Sequence, residues 1–439
     1  MITTAKVKIW NMLVGAVAWD ARQGFAVFEY DKSFLKQNLN IAPITMPINQ
    51  ALNGKRIFSF PNLNRETFNG LPGLLSDSLP DTFGNKLIDS WLARNGRNPE
   101  SFSPVERLCY TGKRGMGALE YEPILTNFDN NSNPIEINEL VQLAKEVLGK
   151  RKNFSSNIHK DKSSNLSEII KVGTSAGGAR AKAVIAYNPK TGDVRSGQVD
   201  RLDGFEYWII KFDGVTNKEL GDPKGYGKIE YAYYLMAKDA DIKIMKSKLL
   251  NENKRAHFMT KRFDRFEFEE SGKNKTGKLH MQTLCGIAHF DYNYPNVYSY
   301  EQAFQVMRQL KLPYSDMTEL LRRMIFNVVA RNQDDHTKNI SFLMDKTGNW
   351  KLAPAYDVTY AFNPENKWMK FHQMSINGKR ENIKREDILE LSKNMNIKKA
   401  GRIIDQVVES VSKWKYFGKE AGVSNEQISA IEKTLVLNL

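Results

Sequence analysis

Alternation of apolar and polar positions dominates the first sixty residues. The runs VKIWNMLVGAVAWD and GFAVFEYD, separated by turn residues and followed by a stretch punctuated by Pro43 and Pro47, predict several antiparallel strands. The period then changes. Phe83, Leu87, Trp91 and Leu92 recur at helical spacing, with Asp81 placed to cap the helix and Gly96 just past its end. TGKRGMGALEYEP (111–123) reads as a Gly-rich loop entering a strand, and the polar, Asn-rich stretch 126–136 as a linker. A short helix is predicted over Ile137–Leu148, then a second soft region over 150–168 with the composition of a mobile loop.

From 170 to 285 the pattern is again strand-like: KAVIAYN, FEYWIIKFD, AHFMTKRFDRFEFEE, a turn at SGKNKTGK, and KLHMQTL, interrupted by one helix, IEYAYYLMAKDA (229–240). Beyond about 300 the chain reads as helical, apart from a strand pair near 340–352, and its last helix opens with Ser424 and Gln427 at capping-box spacing. No internal repeat of fixed period is visible. A β-rich part, then a mixed part, then an α-rich part predicts an α+β, two-lobed enzyme with its site at the lobe junction.

Composition adds bounds. A chain of 439 residues allows roughly two to four domains, and 41% apolar with 26% charged residues excludes wholesale disorder. No apolar run approaches the roughly 18 residues a membrane helix needs, and the N-terminus carries no charged region leading into an apolar one. Cys109 and Cys285 are too few for a disulfide framework or a zinc site, so a soluble cytoplasmic protein without membrane contact is expected. Against 50 acidic side chains stand 64 basic ones, a net charge of +14 that favours polyanions such as nucleic acid or nucleotide phosphates. Spread-out lysines that solvate a surface give the same number, and there is neither a long basic run nor a zinc-finger or RNP spacing.

The chemistry concentrates in RNQDDHTKNISFLMDKTGNWKLAPAYDVTYAF (331–362), which gathers Asp334, Asp335, His336, Lys338, Asn339 and Asp357 around two short strands. Phosphoryl transfer needs a carboxylate for the acceptor hydroxyl and oxygen ligands for Mg²⁺. Protein kinases supply an Asp, an Asn five residues later and a second Asp beyond a hairpin. Asp334 and Asn339 have that spacing, and Asp357 follows 18 residues on. A polar turn, or a metal hydrolase built from Asp, Asp and His, remains open on these residues alone. The small-residue loop VGTSAGGARAKAVIA (172–186) suits close approach to phosphate or an ordinary strand-entry turn, since it matches neither the Walker pattern nor G-x-G-x-x-G, and Lys211, ending FEYWIIK, suits a strand lysine on ATP phosphates or one snorkelling to water. Glu230, opening the next helix, is either its partner or a helix-dipole residue. MTKRFDR (259–265) reads as a lobe-linking strand that offers backbone N–H and C=O groups to an adenine edge, or whose Arg262, Asp264 and Arg265 brace the junction as ion pairs, two readings that are compatible.

In order, a Gly-rich loop, a strand lysine, a hinge, Asp…Asn and a final Asp form a kinase layout. At these residues (GLPGLLSDSLPD, SAGGARAK, WIIKF, RFDR, DDHTKN and LAPAYDV, spread from about 70 to 360) the chain resembles the HipA family of serine/threonine kinases, toxins of bacterial toxin–antitoxin pairs. The resemblance implies a two-lobed protein-kinase-like fold with a β-rich N-terminal subdomain (1–125), a kinase-like N-lobe (126–262) and an all-helical C-lobe (263–439). It implies Asp334 as catalytic base and Asn339 and Asp357 as Mg²⁺ ligands. ATP phosphates would meet Gly177, Gly178, Ala179, Arg180, Ala181, Lys182 and Lys211. The adenine hinge would be Lys261, Arg262 and Phe263, with His336, Thr337, Lys338, Asn339 and Tyr356 lining the nucleotide site. Ser175 matches the serine that such kinases autophosphorylate. The implied partners are a helix-turn-helix antitoxin of the HipB kind, operator DNA through that complex, and a protein substrate such as an aminoacyl-tRNA synthetase. The family's loop usually reads G-A-Q-x-K; here Arg180 stands in place of the glutamine. Alternatives are a catalytically weak, DNA-bound co-repressor and a small-molecule kinase.

Overall fold

A computed structural model of the protein describes residues 2–80, 82–94, 96–125, 134–148, 180–197, 204–215, 225–270 and 273–439. The cap at Asp81, most of the 126–136 linker and the soft region 150–168 lie outside the described residues, as do Ser175, Gly177, Gly178 and Ala179. The chain divides into two compact units that interleave along the sequence. One comprises 1–41, 46–227 and 248–281, the other 42–45, 228–247 and 282–439.

The first unit is built on two five-stranded sheets. In one, β1 (Thr4–Ile9), β2 (Met12–Asp20), β3 (Phe25–Tyr30), β4 (Ile57–Ser59) and β5 (Leu119–Glu122) lie in the order β4-β3-β2-β1-β5. The link from β1 to β2 is a two-residue turn, Trp10-Asn11, with φ of 47° and 68°, the left-handed pair whose twist matches a hairpin. Strand alternation buries Ala5, Val7 and Ile9 on one face. The other sheet has the order β7-β6-β8-β10-β9, from β6 (Lys182–Tyr187), β7 (Val194–Ser196), β8 (Glu206–Lys211), β9 (Ser247–Glu252) and β10 (Arg255–Lys261). Its buried Ile185, Trp208, Ile210 and Met259 share a core with α1 (Thr82–Arg94) and α3 (Ile137–Leu148), both predicted from periodicity. Between those helices, α2 (Pro104–Thr111) begins at a capping box made by Ser103 and Glu106, with Pro104 at its first position.

A separate hairpin pairs β11 (Arg265–Glu270) with β12 (Lys273–Lys278). SGKNKTGK is therefore a strand in its larger part, not a turn. Turn-forming residues yield to cross-strand pairing here: Glu270 faces Lys273, and Gly277 sits opposite Phe266, whose ring leaves no room for a side chain.

After β13 (His280–Thr283) the chain stays in the second unit. This unit packs α4 (Tyr226–Asp239), α5 (Tyr300–Gln309), α6 (Tyr314–Val329), α7 (Arg385–Asn394), α8 (Ala400–Ser412), α9 (Trp414–Glu420) and α10 (Asn425–Glu432) around one large core. Tyr233, Met324, Phe326, Ile404 and Trp414 are fully buried in it, each such side chain contributing about 1.5–3 kcal/mol. The unit also holds the antiparallel pair expected near 340–352, β14 (Ser341–Met344) and β15 (Trp350–Leu352), and this corrects the all-helical C-lobe that the family resemblance implies to a mostly helical one: the run SFLM is buried along its whole length and pairs rather than coils. Ser424 caps α10 through the Gln427 backbone N–H at 3.2 Å, but the Gln427 amide oxygen accepts from the Ser424 hydroxyl instead of closing the box on the backbone. Among the described residues no helix is long and apolar enough to cross a membrane.

Charge is handled inside the first unit by a buried cluster. Asp264 accepts from Arg262 Nε at 2.9 Å and Nη2 at 2.7 Å, from Arg265 Nη1 at 2.7 Å and from the Gly117 N–H at 2.7 Å. Both arginines also donate to the Gly115 carbonyl. These residues, expected to brace a lobe junction, instead fasten the end of β10 to the Gly115–Gly117 turn within one unit. Burial pushes the Asp264 carboxyl up, but the two guanidinium groups outweigh it and hold it far below the carboxylate range. Asp264→Asn leaves two buried cations without a counter-charge and is expected to lower stability by about 3–5 kcal/mol in a urea titration. Burial likewise depresses His280, whose Nε2 lies 3.3 Å from the Ile41 carbonyl, to about 4. Its folded value lies below the unfolded one of about 6.5, so the stability it contributes is present above pH 6.5 and is lost as pH falls toward 4. Unfolding measured across that window is expected to show a loss of up to about 3 kcal/mol that His280→Gln removes.

Candidate active site

The site residues of the second unit stand on a loop that follows α6. Helix-period apolar residues bury one face of α6, and its last turn delivers Ala330, whose carbonyl accepts from the Tyr233 hydroxyl at 2.5 Å. Arg331 then turns the chain with φ of 55°. The C-terminal segment supports this turn: Arg331 Nε donates to the Thr434 carbonyl at 2.7 Å and the Val436 N–H donates to the Val329 carbonyl at 3.0 Å.

Asp335 is the loop's anchor. Its Oδ2 accepts from the Tyr300 hydroxyl at 2.8 Å and lies 2.9 Å from His372 Nδ1, and its Oδ1 accepts from the Gln373 N–H at 2.7 Å. Burial raises its pKa, but His372, the Gln373 N–H and the Tyr300 hydroxyl together overcome this and hold it low. A relay extends backward: Asn332 Nδ2 donates to Asn327 Oδ1 at 2.9 Å, and Asn327 Nδ2 donates to the Tyr300 oxygen at 3.0 Å. With both oxygens engaged, Asp335 is no proton acceptor for a substrate.

Its neighbour is the opposite case. The Asp334 side chain is 49% exposed, with His336 Nε2 at 3.8 Å from its Oδ1. Asn339 Nδ2 donates to the Asp334 carbonyl at 2.7 Å, which fixes the amide and leaves its oxygen for a ligand. Thr337 Oγ1 donates to the Phe290 carbonyl at 2.6 Å, and Lys338 Nζ lies 4.6 Å from the centre of the Tyr292 ring. The Tyr356 hydroxyl donates to the Lys338 carbonyl and lies 2.5 Å from Ser341 Oγ. Asp357 follows with φ of 52°, a left-handed conformation that Asp tolerates better than most residues. Asn339, Tyr356 and Asp357 line one small pocket with Asn332, whose Oδ1 is buried without a hydrogen-bond partner. Two hard oxygen donors beside an unsatisfied amide oxygen suit Mg²⁺ that takes its other ligands from phosphates. Among the described residues no cluster of three or more His, Cys, Asp or Glu forms an all-protein metal cage.

The first unit holds the remaining predicted positions. Lys182, nearly fully buried, opens β6 directly opposite Lys211 at the end of β8, so two ammonium-bearing residues point to the same face. Lys211 Nζ lies 5.8 Å from the Phe258 ring centre. The Arg180 guanidinium lies 4.0 Å over Tyr226, and Ala181 is buried. Lys261 pairs with Glu206 at 3.0 Å, and the Arg262 N–H donates to the Tyr207 carbonyl, which commits that donor to the sheet; Phe263 is half-buried beside it.

Sequence reasoning missed the Asp335 anchor. Its partners lie 35 to 38 positions away, and His372 carries no spacing signal; a second acid beside Asp334 was the only hint.

Residues 174–415 match the family model of the HipA-like C-terminal domain, and residues 5–122 that of the HipA N-terminal domain. The fold is similar to the solved structure of the Shewanella oneidensis MR-1 toxin–antitoxin system, HipA and HipB with operator DNA. The TM-score is 0.68 at 15% identity, over 98% of this chain and 94% of that one. A structure of the Helicobacter pylori proinflammatory kinase CtkA aligns at TM-score 0.34 and 12% identity, over 59% of this chain and 90% of that one. A protein described as putative kinase Y4mE of Sinorhizobium fredii is 30% identical over 111 residues, 24% of this chain; the match spans only 26% of that relative.

Asp335→Ala strips a buried network of its acceptor and is expected to cost about 3 kcal/mol or more, whereas Asp334→Ala is expected to stay within about 1 kcal/mol of the parent. Paired urea titrations compare the two.

Proposed function

The chain belongs to the HipA family, and from that membership we propose that it is a Mg-ATP-dependent serine/threonine protein kinase acting as the toxin of a toxin–antitoxin pair. The observation that carries the reading is the contrast between the two adjacent acids. Asp335 is buried and fully bonded, so Asp334 is presented half-exposed at a fixed place, with Asn339 bound to its own carbonyl.

In this reading Asp334 accepts the proton of the acceptor hydroxyl as that oxygen attacks the terminal phosphate of ATP and ADP departs. Asn339 and Asp357 would hold Mg²⁺, which offsets charge on the phosphate oxygens. Lys182 and Lys211 are assigned to the phosphates. They are register partners at the ends of β6 and β8. Gly177, Gly178, Ala179, Arg180 and Ala181 complete the phosphate loop, and Lys261 to Phe263 the adenine edge. His336, Thr337, Lys338 and Tyr356 shape the nucleotide side of the loop.

Autophosphorylation at Ser175 would place about −1.5 to −2 charges in a loop that must otherwise meet anionic ATP, and so expel it. The similar Shewanella structure contains HipB and operator DNA. By that likeness the chain is assigned a helix-turn-helix antitoxin and, through it, operator DNA. An aminoacyl-tRNA synthetase is the proposed class of target.

Purified protein incubated with Mg²⁺ and ATP is expected to gain one phosphate at Ser175 by intact-mass and phosphosite analysis. Asp334→Ala is expected to slow this by about 10²- to 10⁴-fold. No added mass together with no ATP binding overturns the reading, and undiminished transfer in the variant removes Asp334 as base.

A further inference from the structure

We propose that two surface loops flanking Asp334, 290–298 and 366–371, form the docking surface for the phosphate acceptor. They take an extended polypeptide segment with an apolar side chain and acidic side chains close to its hydroxyl. The inference rests on the phosphotransfer reading and names the class of its acceptor.

Both loops are fastened to the one that carries Asp334. On one side the Phe290 carbonyl accepts from Thr337, and the Tyr292 ring packs 5.4 Å from the His336 ring with Lys338 over its face. Phe290 and Tyr298 stack at 4.5 Å, and Asp291 bonds the Asn293 N–H, so the loop is braced from within. On the other side the Gln373 N–H is held by Asp335, while the Gln373 side chain donates to the Trp368 carbonyl. Gln373 also joins the two loops to each other, its carbonyl accepting from the Asn296 N–H at 3.4 Å; nearby the Ser375 N–H donates to the Tyr298 carbonyl at 3.0 Å. A chain lying on these loops is thereby placed relative to Asp334 without any motion of the catalytic loop.

The exposed side chains say what that chain carries. Tyr294 is 55%, Val297 58% and Trp368 36% exposed, three large apolar groups on loops that are otherwise braced. One exposed apolar residue is ordinary; three on two loops that are both bonded to the one carrying Asp334 mark a contact surface. Lys367 and Lys370 are exposed and lie 5.0 and 5.1 Å over the Trp368 and Phe371 rings. Along 363–371 Glu365 is the single acid. Positive charge interleaved with apolar surface complements an acidic, partly apolar segment. The surface is also open, whereas a small-molecule acceptor calls for an enclosing cleft.

The test reads binding without turnover. Short fluorescein-labelled peptides with a central serine, flanked either by Glu, Asp and Leu or by Lys and Leu, are titrated with the full-length protein and followed by anisotropy. The acidic peptide is expected to bind about tenfold more tightly. Lys367→Glu/Lys370→Glu and Tyr294→Ser/Val297→Ser are each expected to weaken it about tenfold, while the remote exposed pair Lys393→Glu/Lys398→Glu leaves it unchanged. Equal affinity for both peptides, or equal loss in platform and control variants, overturns the proposal. So does displacement of the peptide by a single-stranded oligonucleotide at lower concentration than unlabelled peptide requires, which assigns the surface to nucleic acid. Peptide preference without any transfer from Mg-ATP keeps the docking surface and removes the kinase reading. Transfer without the preference does the reverse.

Discussion

A carboxylate taken out of water sets the terms for the candidate site. Burying an ion costs several kcal/mol unless its lone pairs are filled, and Asp335 fills them from three directions: the Tyr300 hydroxyl on α5, His372, and the Gln373 N–H. Those donors come from segments 35 positions upstream and 38 downstream of it, and the satisfied network admits one arrangement of the loop. Asp335 is buried, while the side chain of Asp334 next to it is 49% exposed. The exposed acid thus owes its place to a residue that takes no part in the proposed chemistry.

The two units treat charge in different ways. Asp264 has two guanidinium groups and a backbone N–H converging on it, all supplied by the chain, and it works as a fastening. Lys182 and Lys211 are register partners on neighbouring strands, and Asn339 and Asp357 line a pocket that also holds an unsatisfied Asn332 oxygen.

What was legible in the sequence follows from range. Helices α1, α3 and α4 and strands β1, β2, β3, β6 and β8 declare themselves because their signals repeat within a dozen residues. The Asp334–Asn339 spacing is legible for the same reason: both residues sit on one short loop, joined by one hydrogen bond. The role of Asp335 was not legible, since an acid in a polar run looks the same whether or not distant donors enclose it. Lys273–Lys278 was misread because its residues favour turns individually, and only the facing strand makes them extended. Arg262, Asp264 and Arg265 were recognised as ion pairs, but their attachment to Gly115 and Gly117, some 147 positions away, carries no local trace.

The bonds from Arg331 and Val329 to the C-terminal segment bear on the protein's birth. Arg331 and Thr434 are 103 positions apart. At roughly 5–20 residues per second, on the order of 5–20 s separate the emergence of the two. Throughout that interval the nascent loop that carries Asp334 lacks the carbonyl that holds its first residue, Arg331.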